Sequence, residues 1–184
     1  MQYAVELYFD PQTEQKLMAL SRRIAEENIS TKFLEWKTRP HLTLACFSDV
    51  DEKECAQRLE AFAEGHTAMP AWLGSVGMFT DSKTIFAAPI MTSVMYQFQR
   101  ELHVCMQGFD TKGWEWYLPQ RWAPHCTLAL TKEDGDEAFL RASGLVLREF
   151  QKTAGSFTAI GLVKISFPVE EIATFELQRE EGPQ

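Results

Sequence analysis

Residues 3–9, Tyr-Ala-Val-Glu-Leu-Tyr-Phe, are rich in β-formers and stop at Asp10-Pro11, which predicts a strand followed by a break. Beyond it Leu17, Leu20 and Ile24 recur at helical spacing, with Glu14, Lys16, Arg22, Arg23 and Glu26 between them. That is the apolar stripe of a helix lying on a sheet, running to about Asn28. A short β-prone segment over 41–47 ends at Ser48-Asp49, and a helix over 51–64 follows, its acidic start suited to the positive helix end. Segments 72–79 and 84–88 flank the turn Thr80-Asp81-Ser82-Lys83 as a hairpin closed by Pro89. A third helix over 92–108, a loop near 112–114, a strand over 124–130 and an acid-started helix over 132–150 come next. Strands over 157–165 and 171–178 finish the chain, before a polar tail, 179–184, expected to fray. Strands and helices alternate, yet several neighbours are hairpins, so the pattern predicts an α+β fold with antiparallel sheets. With no linker rich in Gly, Ser or Pro, residues 1–184 read as a single two-lobed domain.

The two lobes come from a repeat. Pro40-His41-Leu42-Thr43-Leu44-Ala45 and Pro124-His125-Cys126-Thr127-Leu128-Ala129 agree at five of six positions, with their histidines 84 residues apart. A helical segment follows each copy, which marks a half-chain duplication about a pseudo-two-fold axis. Side chains alternate across a strand, so His41 and Thr43 share one face while Leu42 and Leu44 share the other. His125 and Thr127 are placed likewise. If the apolar faces pack under helices, two imidazoles and two hydroxyls converge in a cleft between lobes.

That set suits in-line displacement at a phosphodiester or cyclic phosphate. The attacking oxygen must lose a proton while the leaving oxygen gains one, and a neutral and a protonated imidazole supply both near pH 7. Two Thr hydroxyls can donate to the non-bridging oxygens as charge builds. No metal or other cofactor is expected, since a catalytic zinc usually has three protein ligands and these faces offer two. A Cys-His nucleophile is disfavoured because Cys126 points away from His125, toward the core. His66 and His103 read as surface or core packing.

Charge narrows the substrate. Against 18 Lys and Arg stand 26 Asp and Glu, and the basic residues are dispersed. A long nucleic-acid track is therefore not expected. Arg39 and Arg121 are the nearest cations for an anionic substrate, while Trp36, Tyr117 and Trp122 are candidates for stacking on a base. The scattered cysteines, Cys46, Cys55, Cys105 and Cys126, with no charged-then-apolar leader, predict reduced thiols in a cytoplasmic protein. No apolar run reaches the ~18 residues that span a bilayer, and a monomer is expected.

The paired His-x-Thr motifs resemble those of the two-histidine (2H) phosphoesterase superfamily, within it the bacterial 2′-5′ RNA ligase or RNA 2′,3′-cyclic phosphodiesterase group. The resemblance covers most of the chain. It implies a bilobal α+β body, two antiparallel sheets lining a central groove and helices outside. It implies opening of 2′,3′-cyclic phosphates, with some relatives also making or cleaving 2′-5′ linkages. Carried over, it gives catalytic roles to His41 and His125 and phosphate-binding roles to Thr43 and Thr127. A small nucleotide or an RNA terminus bearing a cyclic phosphate is the implied partner. His41 is taken as acid and His125 as base, the reverse being open. The competing reading is a non-catalytic nucleotide or RNA-end binding module using the same groove, against which the intact motifs argue.

Overall fold

In the computed structural model, which describes residues 2–179, the first strand is β1 (Tyr3–Phe9), with all seven side chains buried. It lies inside the sheet, between β2 (His41–Phe47) and β6 (Thr153–Lys164). Helix α1 (Pro11–Glu26) starts where Asp10 accepts from the backbone N–H groups of Gln12 and Thr13, both at 3.0 Å, with Pro11 at the first turn. It ends two residues before the expected Asn28, which adopts a positive φ of 51°. A one-turn helix, α2 (Lys32–Glu35), follows where no element was expected, and β2 comes next.

The chain continues through α3 (Glu52–Glu64), β3 (Met69–Phe79), β4 (Thr84–Pro89), α4 (Ser93–Cys105), a 3₁₀ turn (Glu115–Tyr117), β5 (Cys126–Leu130), α5 (Gly135–Glu149), then β6 and β7 (Glu170–Glu176). The expected α+β class with antiparallel pairing holds. Strand β3 begins three residues before the expected Trp72, and β5 begins two after Pro124, since proline has no N–H for the ladder. The tail residues 180–184 lie outside the described residues.

The sheets of the two lobes are hydrogen-bonded into one, in the order β2-β1-β6-β3-β4-β5 with β7 on β6. Each half lends its third strand to the join: Met69–Leu73 of β3 pairs with 153–157 of β6. At the centre of that ladder Ala71 faces Gly155, and these two are again 84 residues apart, so the pseudo-two-fold axis passes between them. The halves also exchange helix contacts. Ser21 of α1 donates to the Leu128 carbonyl of β5 at 2.8 Å, and Gln99 of α4 donates to the Leu44 carbonyl of β2 at 3.0 Å. Leu44 and Leu128 are the same position in the two motif copies. Satisfying these strand carbonyls from the opposite half brings the motif strands side by side. Among the described residues no helix is long and apolar enough to cross a membrane.

Candidate active site

Both motifs position their histidine by one device. His41 Nδ1 hydrogen-bonds the Arg39 carbonyl at 2.7 Å, and His125 Nδ1 the Ala123 carbonyl at 2.8 Å, each two residues upstream. The intervening Pro40 and Pro124 have fixed φ and hold the preceding residue extended, so that carbonyl is aimed at the ring. A carbonyl only accepts, so Nδ1 carries the hydrogen and Nε2 is left for chemistry.

His41, Thr43, His125 and Thr127 line one groove of about 250 Å³ between the lobes. Its floor also holds Glu6 of β1, and its wall is apolar and aromatic: Phe33, Trp36, Trp114, Tyr117, Ile165 and Val169. No Lys or Arg is among the lining residues. Thr43 hydrogen-bonds the hydroxyl of Tyr117, whose phenol burial pushes up to about 12. A larger depression of about 460 Å³ along α4, bounded by Ser93, Tyr96 and Arg100, contains none of the motif residues.

The other expected substrate contacts divide. Trp36 and Tyr117 line the groove. Trp122 instead braces it from behind, its indole N–H donating to the Thr43 carbonyl at 2.9 Å. Arg39 turns away, bonding Glu14 at 3.1 and 2.8 Å, with its guanidinium 4.2 Å from the centre of the Tyr8 ring. Arg121 is exposed and stands 5.7 Å from the Trp116 ring. Cys126 is fully buried, and that burial pushes its thiol up to about 12. Of the other histidines, His103 bonds the Leu44 and Tyr117 carbonyls at 3.2 and 3.0 Å, which fixes the 3₁₀ turn against β2. Among the described residues, no three His, Cys, Asp or Glu side chains are grouped so that they could hold a metal ion.

The surroundings of the two imidazoles differ. His125 lies edge-on to Phe79 at 4.8 Å and near Phe86 at 5.3 Å. Burial holds it below the usual imidazole range; the Ala123 carbonyl opposes this and nearby His41 adds to it. His41 Nε2 stands 3.3 Å from Glu6 Oε1, and Glu6 Oε2 accepts the Tyr8 hydroxyl at 3.0 Å. Burial raises the Glu6 carboxyl above its ordinary value, with His41 and Tyr8 pulling the other way. Glu6 is the residue that the sequence reading missed. Its signal was a lone acid within an otherwise apolar and aromatic strand.

Two half-sheets joined across a pseudo-two-fold axis, each giving a histidine and a threonine to one groove, form a duplicated candidate site. The chain belongs to the 2′-5′ RNA ligase superfamily, the two-histidine phosphoesterases, whose family model matches residues 16–173. Membership supports activity of the phosphodiesterase or ligase type. Similar solved structures include TT0787 of Thermus thermophilus, at 16% identity and TM-score 0.63, covering 98% of this chain and 100% of that one. Escherichia coli LigT complexed with 3′-AMP is 14% identical, with TM-score 0.59, over 96% and 97% of the two chains. LigT complexed with phosphate is 15% identical, with TM-score 0.56, over the same shares. No curated protein matches the sequence significantly. These structural likenesses establish the fold.

Proposed function

We propose that the protein, working as one two-lobed unit, opens 2′,3′-cyclic phosphates of small nucleotides or RNA ends by acid-base catalysis between His41 and His125. The observation that carries this reading is the meeting of two His-x-Thr faces in one groove. His125, kept neutral among phenylalanines, takes a proton from water as the water oxygen bonds to phosphorus. The opposite P–O(ribose) bond breaks, and His41 Nε2 gives its proton to the departing oxygen. One water is consumed, and a phosphomonoester with a free ribose hydroxyl results. Thr43 and Thr127 donate to the non-bridging oxygens as negative charge grows.

The aromatic wall supports this direction. Trp114 and Tyr117 pack with Ala4 of β1, Cys46 of β2, Ile165 and Val169, and Trp36 meets Phe167 edge-on while its carbonyl accepts from the Val169 backbone N–H, so the wall stands beside the strands that carry Glu6 and His41. A base stacked there puts its ribose, the leaving group, beside His41 and leaves the His125 side to water. A groove without Lys or Arg suits a singly charged cyclic phosphate better than a polyphosphate. The complex of LigT with 3′-AMP is consistent with a nucleotide in such a groove.

The test is hydrolysis of a nucleoside 2′,3′-cyclic phosphate by wild type, His41→Ala and His125→Ala. Each substitution should lower kcat by about 10²–10⁴, and chelator should leave wild type unchanged. The pH profile of kcat/KM should be bell-shaped, with its acidic limb below ~6.5, because the base is depressed and must be neutral to act. Nucleotide binding without turnover in all three proteins would replace the enzyme by a binding module.

A further inference from the structure

The duplication gives each motif threonine a neighbour on the adjoining strand, and there the halves part. In the first half Thr43 pairs with Glu6, which pairs with Gly161; in the second Thr127 pairs with Phe86, which pairs with Gly77. Gly77 and Gly161 are 84 residues apart, as are Thr43 and Thr127, so the two rows are equivalent. The middle slot holds a carboxyl in one half and a phenyl ring in the other. Each glycine opens room for an aromatic ring: Phe86 lies across Gly77 and Tyr8 across Gly161. In the first half that ring ends in a hydroxyl that reaches Glu6.

We propose that Glu6, braced by Tyr8 and 3.3 Å from His41 Nε2, is the positioning residue whose carboxylate holds the proton on His41 and makes it the acid of the pair. Glu6 is 4% exposed, so a lone charge there is costly, whereas a carboxylate beside a protonated imidazole leaves the pair net neutral. The charged and titratable groups facing Glu6 fit this balance. His41 and Cys46 face it from β2, Tyr8 from its own strand and Glu171 from β7. Arg39 faces it from the segment before β2, Tyr117 from the 3₁₀ turn and Cys126 from β5. Arg39 is already neutralised by Glu14, and the cysteines and tyrosines are all pushed upward, so they stay protonated. His41 is thus left as the proton's partner.

This inference rests on the acid role given to His41 above, and its test separates the two. The ring nitrogens of His41 and His125 are followed by NMR against pH in wild type, Glu6→Gln and Tyr8→Phe. Alongside, kcat and KM are measured on a nucleoside 2′,3′-cyclic phosphate. In Glu6→Gln the His41 ring should lose its proton at least about 1 pH unit lower, because an adjacent carboxylate favours the charged form. The alkaline limb of kcat should follow, kcat at pH 8 should fall about tenfold, and KM should stay within about twofold. Tyr8→Phe should move the same midpoint the other way, by about half a unit, because the hydroxyl supports the carboxylate left when the proton departs. Misfolding of one variant leaves the other as the test. Opposite shifts with no turnover in wild type would sink the proposed function and uphold the pairing. A His41 titration unmoved in Glu6→Gln, or moved in the same direction by both variants, overturns the pairing whatever the activity.

Discussion

Replacing Gly161 by alanine tests whether the floor of the groove is as tightly built as its geometry indicates. A Cβ at Gly161 would lie 2.5 Å from Tyr8 Cε2, 2.8 Å from its hydroxyl and 3.0 Å from Cζ. Non-bonded carbons rest at ~3.5–4.0 Å, so the ring must move by about 1 Å. Tyr8 is fully buried and has no path to solvent. Overpacking of this kind costs about 1–3 kcal/mol, against a gain of about 0.4–1 kcal/mol from a less flexible unfolded chain. With no exit for the ring, the net loss should be about 2 kcal/mol. For a chain of this size that lowers the melting temperature by about 4–8 °C. The same movement stretches the 3.0 Å contact between the Tyr8 hydroxyl and Glu6, so the alkaline limb should shift as it does in Tyr8→Phe. Gly65→Ala is the control, since a Cβ there meets nothing nearer than 3.6 Å and its φ is −87°. Differential scanning calorimetry and pH-dependent hydrolysis read both effects. A Gly161→Ala protein that melts and titrates like wild type would refute the packing of Tyr8 on β6.

Asp10 should tie fold to pH. Burial works against its charge, but donors on Thr13, Ser156 and Gln12 outweigh it and hold the carboxyl below its ordinary range. Its contribution is therefore complete above the unfolded value of ~3.9 and lost as pH falls through the lower folded value. Asp10→Ala should cost about 1–2 kcal/mol at pH 7 in urea melts, and the deficit should shrink below about pH 4. A deficit that does not change with pH would refute the assignment. Arg39→Ala should leave KM within about twofold, because the guanidinium is committed to Glu14 and Tyr8, while stability falls by about 1 kcal/mol. A tenfold rise in KM would mean that Arg39 swings into the groove.

Local alternation made the motif faces legible: the order of His41, Leu42, Thr43 and Leu44 decides which side chains meet the groove without reference to the rest of the chain. The repeat interval carried more, because Ala71 with Gly155 and Gly77 with Gly161 fall on the same spacing and mark the axis. Helix α2 escaped because four residues are too few to show a period. The union of the sheets escaped for a different reason. The pairing of 69–73 with 153–157 joins segments far apart in sequence, and nothing local encodes it. Arg39 reads in the sequence as a cation for the substrate, whereas the partner it bonds, Glu14, lies 25 residues upstream on α1, where nothing local points to it. Glu6 needed both kinds of knowledge: its strand is legible locally, but its place inside the sheet, with β6 and β2 paired on either edge and both faces buried, is set by segments far away in the chain.

What a carboxyl in one half gains for the reaction can be weighed. Two identical imidazoles at a pH equal to their common pKa would be correctly protonated, one specified ring charged and the other neutral, about a quarter of the time. Spreading the two values by about two units, with the pH midway, raises that to about four-fifths. A gain of about threefold is small beside the 10²–10⁴ that acid-base catalysis supplies. Population alone is thus a weak reason for departing from symmetry. Direction is a stronger one. With equivalent rings, water could be activated from either side of phosphorus, but only one side is compatible with a base on the Trp36–Tyr117 wall. In the proposed reaction, Glu6 on the walled side and Phe86 on the other would make the protonated ring coincide with the leaving ribose oxygen. The asymmetry of the protonation states then matches the asymmetry already imposed by the aromatic wall.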